Sequence, residues 1–280
     1  MITRQDLIDA AERIDPLPAS ITRLLRLTND PSSSMADMAE VIRYDPILTV
    51  DVLRLANSAR SAVRDPVSEV SVAVARLGTA EVLGLAMKRA VQGRMTVALR
   101  AYGMDADELW RHSLTSAIAA EVVSDVSTIR IPGHASTAAL LHDVGKLVIA
   151  KALPNELSDH LAHVSSTDPR PLDEIEREIL GTDHGEVGAS VVRSWEMPMS
   201  IQIALINHHN ITDASDTLSH VIAAANDLAL AIPLHGEGEV ALEYRTTSSL
   251  NHAGVANSKI PALVQSISNR LQEVMGAYNF

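Results

Sequence analysis

The sequence predicts an all-α protein, and three features of its 280 residues point to that class. Aromatic residues make up 2% of the chain, so the core must be built from alanine, valine, leucine and isoleucine, a mixture that suits closely packed helices. Apolar residues recur at spacings of three and four, and capping residues precede several apolar runs. With 46% hydrophobic and 21% charged residues, the composition is that of a globular protein.

The first 95 residues predict about five or six short helices. Leucine and isoleucine recur every three or four residues between positions 16 and 59, with arginines on the intervening faces, which indicates a compact helical layer. Capping residues mark several helix starts: Ser34 followed by Asp37, Asp45 before Pro46, and Thr79 before Ala80.

A second region begins where glycines and arginines interrupt the pattern at residues 93–103, before Asp105 caps a new helix. We therefore expect two parts, residues 1–98 and residues 99–280. Helical runs are predicted in the second part at 105–124, 134–150, 184–196, 198–209, 216–230 and 261–275. The stretches 209–216 and 234–250 have no clear period and are expected to be loops.

The overall composition excludes several classes of function. The net charge of −12 and the pI near 5.3 oppose binding to a phosphate backbone, so no nucleic-acid partner is expected. There is no cysteine, so a transition metal would need nitrogen and oxygen ligands. The charged, amphipathic N-terminus and the lack of an 18-residue apolar run favour a cytoplasmic protein with no membrane partner.

The stretch 138–150, AALLHDVGKLVIA, is apolar on nearly every face yet contains His142, Asp143 and Lys146. A helix that is apolar all round is buried, and an unpaired buried charge is costly, so these groups need partners. A metal ion would provide them, and so would an internal hydrogen-bond network without metal. This helix alone leaves both interpretations open.

Other titratable residues interrupt apolar runs in the same half of the chain. Glu108 and His112 stand four residues apart and share a helix face, although such pairs are also common on solvated helices. The adjacent His208 and His209 point about 100° apart on a helix. Both can therefore serve only if they bind different metals, or if one of them supports a ligand instead of binding the metal itself. Asp227, in a nearly apolar helix, needs either a cation or an arginine or backbone partner. The full candidate set, in chain order, is Glu108, His112, His142, Asp143, His184, His208, His209 and Asp227, with Lys146 beside it.

This order of residues, together with the signature LLHDVGKL, resembles the HD superfamily of metal-dependent phosphohydrolases, and more closely its regulatory HDOD branch. The N-terminal segments IDPLPASITRLLRLTNDP and YDPILTVDVLRLANSA are similar to the helical layer specific to HDOD proteins. The resemblance covers nearly the whole chain. It implies an HDOD-specific helical layer over residues 1–98, packed on an HD-type helical metal-binding bundle over residues 99–280.

The resemblance also implies a role for each candidate. Asp143 would bridge two metal ions and Lys146 would lie near a substrate phosphate, so these two are the candidate catalytic residues. Lys146 could equally extend to the surface. Glu108 matches an extra carboxylate of the HD-GYP relatives, which cleave cyclic di-GMP. The remaining ligands implied are His112, His142, His184, His208, His209 and Asp227. Such ligands suit two divalent ions of Fe, Mn, Ni or Zn, and affinity order does not choose among them.

Two functions of different classes are compatible with these residues. The resemblance favours a bacterial signal-transduction module with a His/Asp metal site, which acts through a regulatory protein partner or a nucleotide or phosphate ligand. The N-terminal layer would then be the half that binds the partner. The alternative is an active metal-dependent phosphohydrolase or phosphodiesterase on a nucleotide. After His209 the chain reads NITDASDT, without the Gly-Tyr-Pro loop of the cyclic di-GMP hydrolases, which favours the regulator. A scaffold without metal would require every buried polar group to be satisfied internally.

Overall fold

The structure is a computed structural model that describes residues 2–13, 18–30, 32–58, 67–92, 99–232 and 244–278. Within these ranges it contains sixteen α-helices, two short 3-10 helices and no strand beyond an isolated bridge between Leu99 and Met104. The prediction of an all-α fold is confirmed.

The described residues before position 99 form six helices, in agreement with the predicted five or six. They are α1 (Arg4–Glu12), α2 (Ala19–Asn29), α3 (Met35–Arg43), α4 (Pro46–Ser58), α5 (Val70–Leu77) and α6 (Thr79–Gln92). The predicted start of α3 is a full capping box: Ser34 and Asp37 each accept a hydrogen bond from the other's backbone nitrogen. Asp45 accepts hydrogen bonds from the backbone nitrogens of Ile47 and Leu48 and so caps α4.

The described residues from position 99 onward form ten further α-helices. After the 3-10 helix Arg100–Tyr102 come α7 (Ala106–Val126), α8 (Ala135–Leu141), α9 (Val144–Ala152), α10 (Asn155–Thr167), α11 (Leu172–Leu180), α12 (His184–Ser194), α13 (Met199–Asn207), α14 (Thr217–Ala231), α15 (Tyr244–His252) and, after the 3-10 helix Asn257–Lys259, α16 (Ile260–Tyr278). The helix α15 was not predicted, because its sequence YRTTSSLNH is mostly polar. The other part of the expected loop 234–250, residues 234–243, lies outside the described residues.

The bundle is organised around α7, α8 and α14, which pack on one another. On one side of them, α12 packs on both α9 and α13. The N-terminal helices join this bundle where α6 packs on α7 and α8, and α16 contacts both α4 and α7. The first helix, α1, packs on α9 and α12, so it lies with the bundle in space although it is distant in sequence. The division of the chain near residue 98 stays a prediction.

The run predicted as one helix over 134–150 is two helices, because the chain turns at His142 and Asp143. Asp143 is the N-cap of α9, with φ −98° and ψ 6°, outside helical values. All of α8 is buried, as the apolar sequence predicts. On an unbroken helix the two neighbouring side chains would diverge by about 100°. The turn instead lets both reach the same interior point.

Among the described helices, none is by itself long and apolar enough to cross a membrane. Taken together, α5 and α6 have the length and composition of a membrane span, but the pair bends by 105° at the break between them.

Candidate metal centre

Six of the predicted site residues come together between the helices of the bundle. They arrive from different elements: His112 from α7, His142 and Asp143 from the turn between α8 and α9, His184 from the first position of α12, and His208 and His209 from the end of α13. Their donor atoms form two groups, each able to hold a metal ion. One comprises His112, His142 and Asp143, and the other His184, His208 and His209.

The distances within the groups fit shared coordination. In the first group, Nε2 of His112 lies 3.1 Å from Nε2 of His142 and 3.5 Å from Oδ2 of Asp143. In the second, Nε2 of His184 lies 2.9 Å from Nε2 of His209 and 3.4 Å from Nε2 of His208. Nitrogen ligands at 2.0 to 2.1 Å from a tetrahedral ion would be roughly 3.3 Å apart. The separations between the donor atoms are therefore those of a first coordination shell.

Asp143 belongs to the first group and also faces the second. Its Oδ2 faces His142 at 3.4 Å, and its Oδ1 faces Nε2 of His184 at 3.3 Å. The carboxylate is 1% exposed, and Oδ1 accepts no hydrogen bond from the described residues. A buried carboxylate oxygen without a donor is costly, and a cation would relieve that cost. This position matches the bridging role that the family resemblance implies.

Hydrogen bonds at the far side of three rings fix how these rings face the centre. Nδ1 of His142 lies 2.7 Å from the carbonyl oxygen of Ala139, and Nδ1 of His208 lies 2.6 Å from that of Leu205. Nδ1 of His184 lies 2.6 Å from Oε2 of Glu176. Since these acceptors require a proton on Nδ1, each neutral ring directs the Nε2 lone pair inward. With His184 neutral, its Nε2 and Nε2 of His208 face each other at 3.4 Å with lone pairs that repel unless a cation lies between them, so the donor set fits a metal.

Burial keeps four of the histidines in the neutral form that binds metal. It lowers the pKa of His112 to about 3 and that of His209 to about 2, and for both rings neighbouring histidines and Lys146 lower it further against the pull of Asp143. Burial also lowers the pKa of His142 and, strongly, that of His208. The rings are thus ready to coordinate a cation without losing a proton first.

In the two remaining ligand candidates, Asp143 and His184, neighbouring charges outweigh burial and favour the ionised form. Burial opposes ionisation of Asp143, but His142, Lys146 and His184 outweigh it and hold its pKa well below the usual value. Burial likewise opposes charging of His184, but the Glu176 carboxylate overcomes it and raises the pKa of this ring. A protonated His184 would have to release a proton to bind metal at Nε2.

Two glycines allow the helices that carry the ligands to approach closely. At Gly145 a Cβ would overlap the carbonyl oxygen of His184, so α9 and α12 cross in backbone contact. At Gly185 a Cβ would lie 2.5 Å from the carbonyl oxygen of Leu205, in the last turn of α13. The sequence therefore places a glycine at each crossing that brings His184 to Asp143 and His208.

Lys146 is buried beside the centre and does not extend to the surface. Its Nζ donates to Oδ2 of Asp143 at 2.7 Å, and its side chain is 11% exposed. Nζ also lies 5.9 Å from the centre of the Tyr102 ring. The ammonium group therefore neutralises the carboxylate that faces both donor groups.

The structure does not bring Glu108 and Asp227 into either donor group. Glu108 is exposed, and its Oε2 accepts from the backbone nitrogen of Asp105 in the capping box of α7. Asp227 accepts a hydrogen bond from the hydroxyl of Thr246 at 2.9 Å. The preceding residue, Asn226, faces the centre instead, with Oδ1 3.0 Å from Nε2 of His112. One residue along a helix turns a side chain by about 100°, and the sequence pattern did not resolve that difference.

Three polar residues at the centre were not predicted: Glu176, Tyr102 and Asn226. Glu176 is fully buried, and it lies midway between Leu172 and Leu180, at spacings of four on the apolar face of α11. That spacing is a signal which the sequence offered. For Asn226 and Tyr102 no comparable signal exists, because an amide and a phenol are common in helix interiors without any ligand.

The fold and the site together define a class: an all-helical protein with a buried candidate centre for divalent metal, built from histidine and carboxylate side chains. Comparison with known proteins makes the assignment specific. The family model of the HDOD domain matches residues 14–211, and the chain belongs to the HDOD family, which is related to the HD phosphohydrolases.

Individual relatives are distant. The chain is 25% identical over 217 residues to an uncharacterized protein of Treponema pallidum (strain Nichols). The matched residues make up 76% of this chain and 41% of that protein. A putative signal transduction protein of Marinobacter aquaeolei VT8 aligns with 97% of this chain and 64% of its own, at 23% identity and a TM-score of 0.72. A putative phosphohydrolase of Shewanella amazonensis SB2B aligns over 97% of both chains, at 23% identity and a TM-score of 0.67. The chain spans about two fifths of the Treponema protein, and the two structures show a shared fold.

Proposed function

We propose that this protein is a signal-transduction module in which a two-ion metal centre, of Fe, Mn, Ni or Zn, supports binding of a regulatory protein or of a nucleotide or phosphate ligand. The single observation that carries the proposal is the convergence of five histidine rings and Asp143, with donor atoms about 3 Å apart and three rings fixed from behind. An internal hydrogen-bond network would have to supply donors for four inward acceptors, which are the Nε2 atoms of the three fixed rings and Oδ1 of Asp143.

The surroundings of the centre favour binding over turnover. His142 and His184 are 0% exposed and His208 is 1% exposed, so substrate could approach only past His112 and His209. Lys146, the residue proposed to contact a substrate phosphate, is held by Asp143. A hydrolytic centre needs an open metal position and an accessible cavity.

Features of the N-terminal helices support a partner-binding role for that half of the chain. Three apolar side chains stand three residues apart at the junction of α3 and α4. They are Tyr44, Ile47 and Val50, and they are 81%, 55% and 52% exposed. Exposed apolar side chains that lie close together are typical of a surface that a partner covers. The Marinobacter protein, described as a putative signal transduction protein, shares the fold over this region.

The alternative function is hydrolysis of a nucleotide phosphodiester. Its support is the fold shared with the Shewanella protein, described as a putative phosphohydrolase. Two bound ions would supply Lewis acidity and a water of lowered pKa. In that case Asp143 would hold both ions, and Lys146 would have to exchange its bond with Asp143 for one with the phosphate.

Elemental analysis of the purified protein tests the metal site, with a variant that carries both Asp143→Ala and His184→Ala. We expect metal in the parent and none in this variant, whose folding is checked by helical circular dichroism. Equal metal content in both, or none in either, would contradict the proposal.

Incubation of the metal-loaded parent with bis-p-nitrophenyl phosphate and cyclic dinucleotides then separates the two functions. The regulator predicts no turnover above the variant's level, and turnover that the variant lacks would establish the hydrolase.

A further inference from the structure

A chain of hydrogen bonds between buried groups ends on one of the candidate metal ligands. The hydroxyl of Tyr102 donates to Oε1 of Glu176 at 2.7 Å. The other oxygen, Oε2, accepts from Nδ1 of His184 at 2.6 Å and from its backbone nitrogen at 2.8 Å. The side chains of Glu176 and His184 are both 0% exposed. Both oxygens of this carboxylate are therefore engaged, and the two bonds to His184 fix the ring relative to its own backbone.

We propose that Glu176 and Tyr102 are positioning residues that orient His184 toward the metal and tie the metal centre to the connection between the N-terminal helices and the bundle. The inference rests on the proposed function, because it requires that the centre binds metal.

Glu176 affects both the geometry and the basicity of the ligand His184. A carboxylate that accepts the Nδ1 proton holds the ring in the tautomer that coordinates through Nε2 and makes that nitrogen a stronger donor. Loss of such a partner typically lowers metal affinity by about 10- to 100-fold. The other two fixed rings, His142 and His208, have neutral backbone carbonyls in this position. His184 alone among these three is supported by a charge.

Tyr102 lies where the chain enters the bundle. It ends the 3-10 helix Arg100–Tyr102, which follows the N-terminal helices and packs on α9 and α10. Its hydroxyl supports His184 through Glu176, while its ring lies 5.9 Å from Nζ of Lys146, which binds Asp143. Tyr102 thus contacts both Glu176, which supports His184, and Lys146, which supports Asp143. A shift of this 3-10 helix would disturb both supports together.

Zinc affinity of the full chain, measured by competition with a chromogenic chelator, tests the first part. Glu176→Gln keeps the size and an acceptor oxygen but removes the charge, so we expect zinc affinity to fall about 10-fold, and about 100-fold for Glu176→Ala. Glu174→Gln, on the exposed face of the same helix, is the matched control and should bind like the parent. This graded loss, with partial rescue by glutamine, distinguishes positioning from a loss of fold, which thermal unfolding of the metal-free variants monitors. Unchanged affinity in Glu176→Ala would overturn the role of Glu176.

Amide hydrogen exchange tests the second part. In the parent, added Zn²⁺ should slow exchange in a peptide that covers residues 99–104, because metal binding fixes His184 and through it Tyr102. In Tyr102→Phe the slowing should be lost, while Glu174→Gln, on the exposed face of α11, should behave like the parent. Equal slowing in Tyr102→Phe would overturn the connection. If the parent itself fails to bind Zn²⁺, both the proposed function and this inference fall, whereas equal affinity in parent and Glu176 variants would overturn the inference alone.

Discussion

Gly145 and His184 lie in backbone contact where α9 crosses α12. A Cβ at position 145 would overlap the carbonyl oxygen of His184 and lie 2.7 Å from the backbone nitrogen of Gly188. Asp143 precedes Gly145 by two residues, and its Oδ1 lies 3.3 Å from the His184 ring. The distance between the two donor groups therefore depends on the absence of a side chain at position 145.

The change Gly145→Ala should damage the metal centre and the fold together. The added methyl group must push α9 away from α12, and overpacking of this kind costs about 1 to 3 kcal/mol of unfolding free energy. We expect a lower midpoint in urea unfolding and a loss of zinc binding. Gly133→Ala is the control, because a Cβ there meets nothing within 4 Å. A Gly145→Ala protein with the parent's stability and metal affinity would show that the two helices are not constrained by this contact.

Much of the fold was predictable, because the helices obey local rules. Ser34 and Asp105 begin helices as expected, and the runs at 184–196, 198–209 and 216–230 correspond to α12, α13 and α14. The apolar face of each helix and its capping residues lie within a few positions of one another in the sequence. The convergence of distant histidines was predictable only through the resemblance to HD proteins, because no local pattern specifies contacts over a hundred residues.

The structure differs from the sequence expectations at three places, and the metal roles of Glu108 and Asp227 stay predictions. The turn at His142 and Asp143 is hidden in an apolar run that contains no proline and only one glycine, Gly145. Asn226 rather than Asp227 faces the centre, and a hydrophobicity pattern does not separate two polar neighbours in a buried helix. Glu108 was paired with His112 by spacing, but a glutamate three residues after an N-cap is also a capping residue, and the structure uses it in that way.

Single-ligand variants test whether the two donor groups hold separate ions. His112→Ala removes a donor of the first group, and His209→Ala removes a donor of the second. Each should lower the zinc content by about one equivalent relative to the parent, whereas Asp143→Ala should lower it at both groups because its oxygens face each of them. Titration with zinc followed by elemental analysis gives these numbers. His160→Ala, at an exposed position on α10, should leave the content unchanged. Identical losses in the first two variants, down to no metal, would indicate a single shared ion.

The metal-free protein should lose stability as the pH falls below neutrality. Burial lowers the pKa of His209 from the ordinary 6.5 to about 2, so below pH 6.5 the ring binds a proton in the unfolded chain but not in the folded protein. This contribution is fully present above pH 6.5 and is lost progressively toward pH 2, at up to about 1.4 kcal/mol per pH unit. Urea unfolding in EDTA at pH 7 and pH 5 should show a smaller decrease for His209→Gln than for the parent. His160→Gln should match the parent, and an equal decrease in all three would exclude a role for this ring.

A partly buried cluster of Glu121, Arg270 and Glu81 joins the N-terminal helices to the bundle, and the pKa of its Glu121 is raised rather than lowered. Glu121 of α7 accepts from the backbone nitrogen of Ala80 at 2.7 Å and from Arg270 of α16 at 2.7 Å. Arg270 also lies 3.4 Å from Glu81 of α6. One guanidinium thus faces two carboxylates. Burial, with the charge of Glu81, raises the pKa of Glu121 to about 7 against the pull of Arg270.

Replacement of Glu121 by glutamine should therefore help the protein more at high pH than at low pH. The raised pKa means that the folded state binds a proton between about pH 4.5 and 7 that the unfolded chain has lost, so this group's contribution is full below pH 4.5 and disappears as the pH rises through 7. The free energy of unfolding of Glu121→Gln minus that of the parent should increase by up to about 3 kcal/mol between pH 5 and pH 8. Urea unfolding of the same preparations measures it, with the exposed Glu40→Gln as the control, whose difference should not change with pH. A constant difference for Glu121→Gln would mean that Arg270 keeps Glu121 ionised between pH 5 and pH 8. The link between α7 and α16 would then be an ion pair over this whole range.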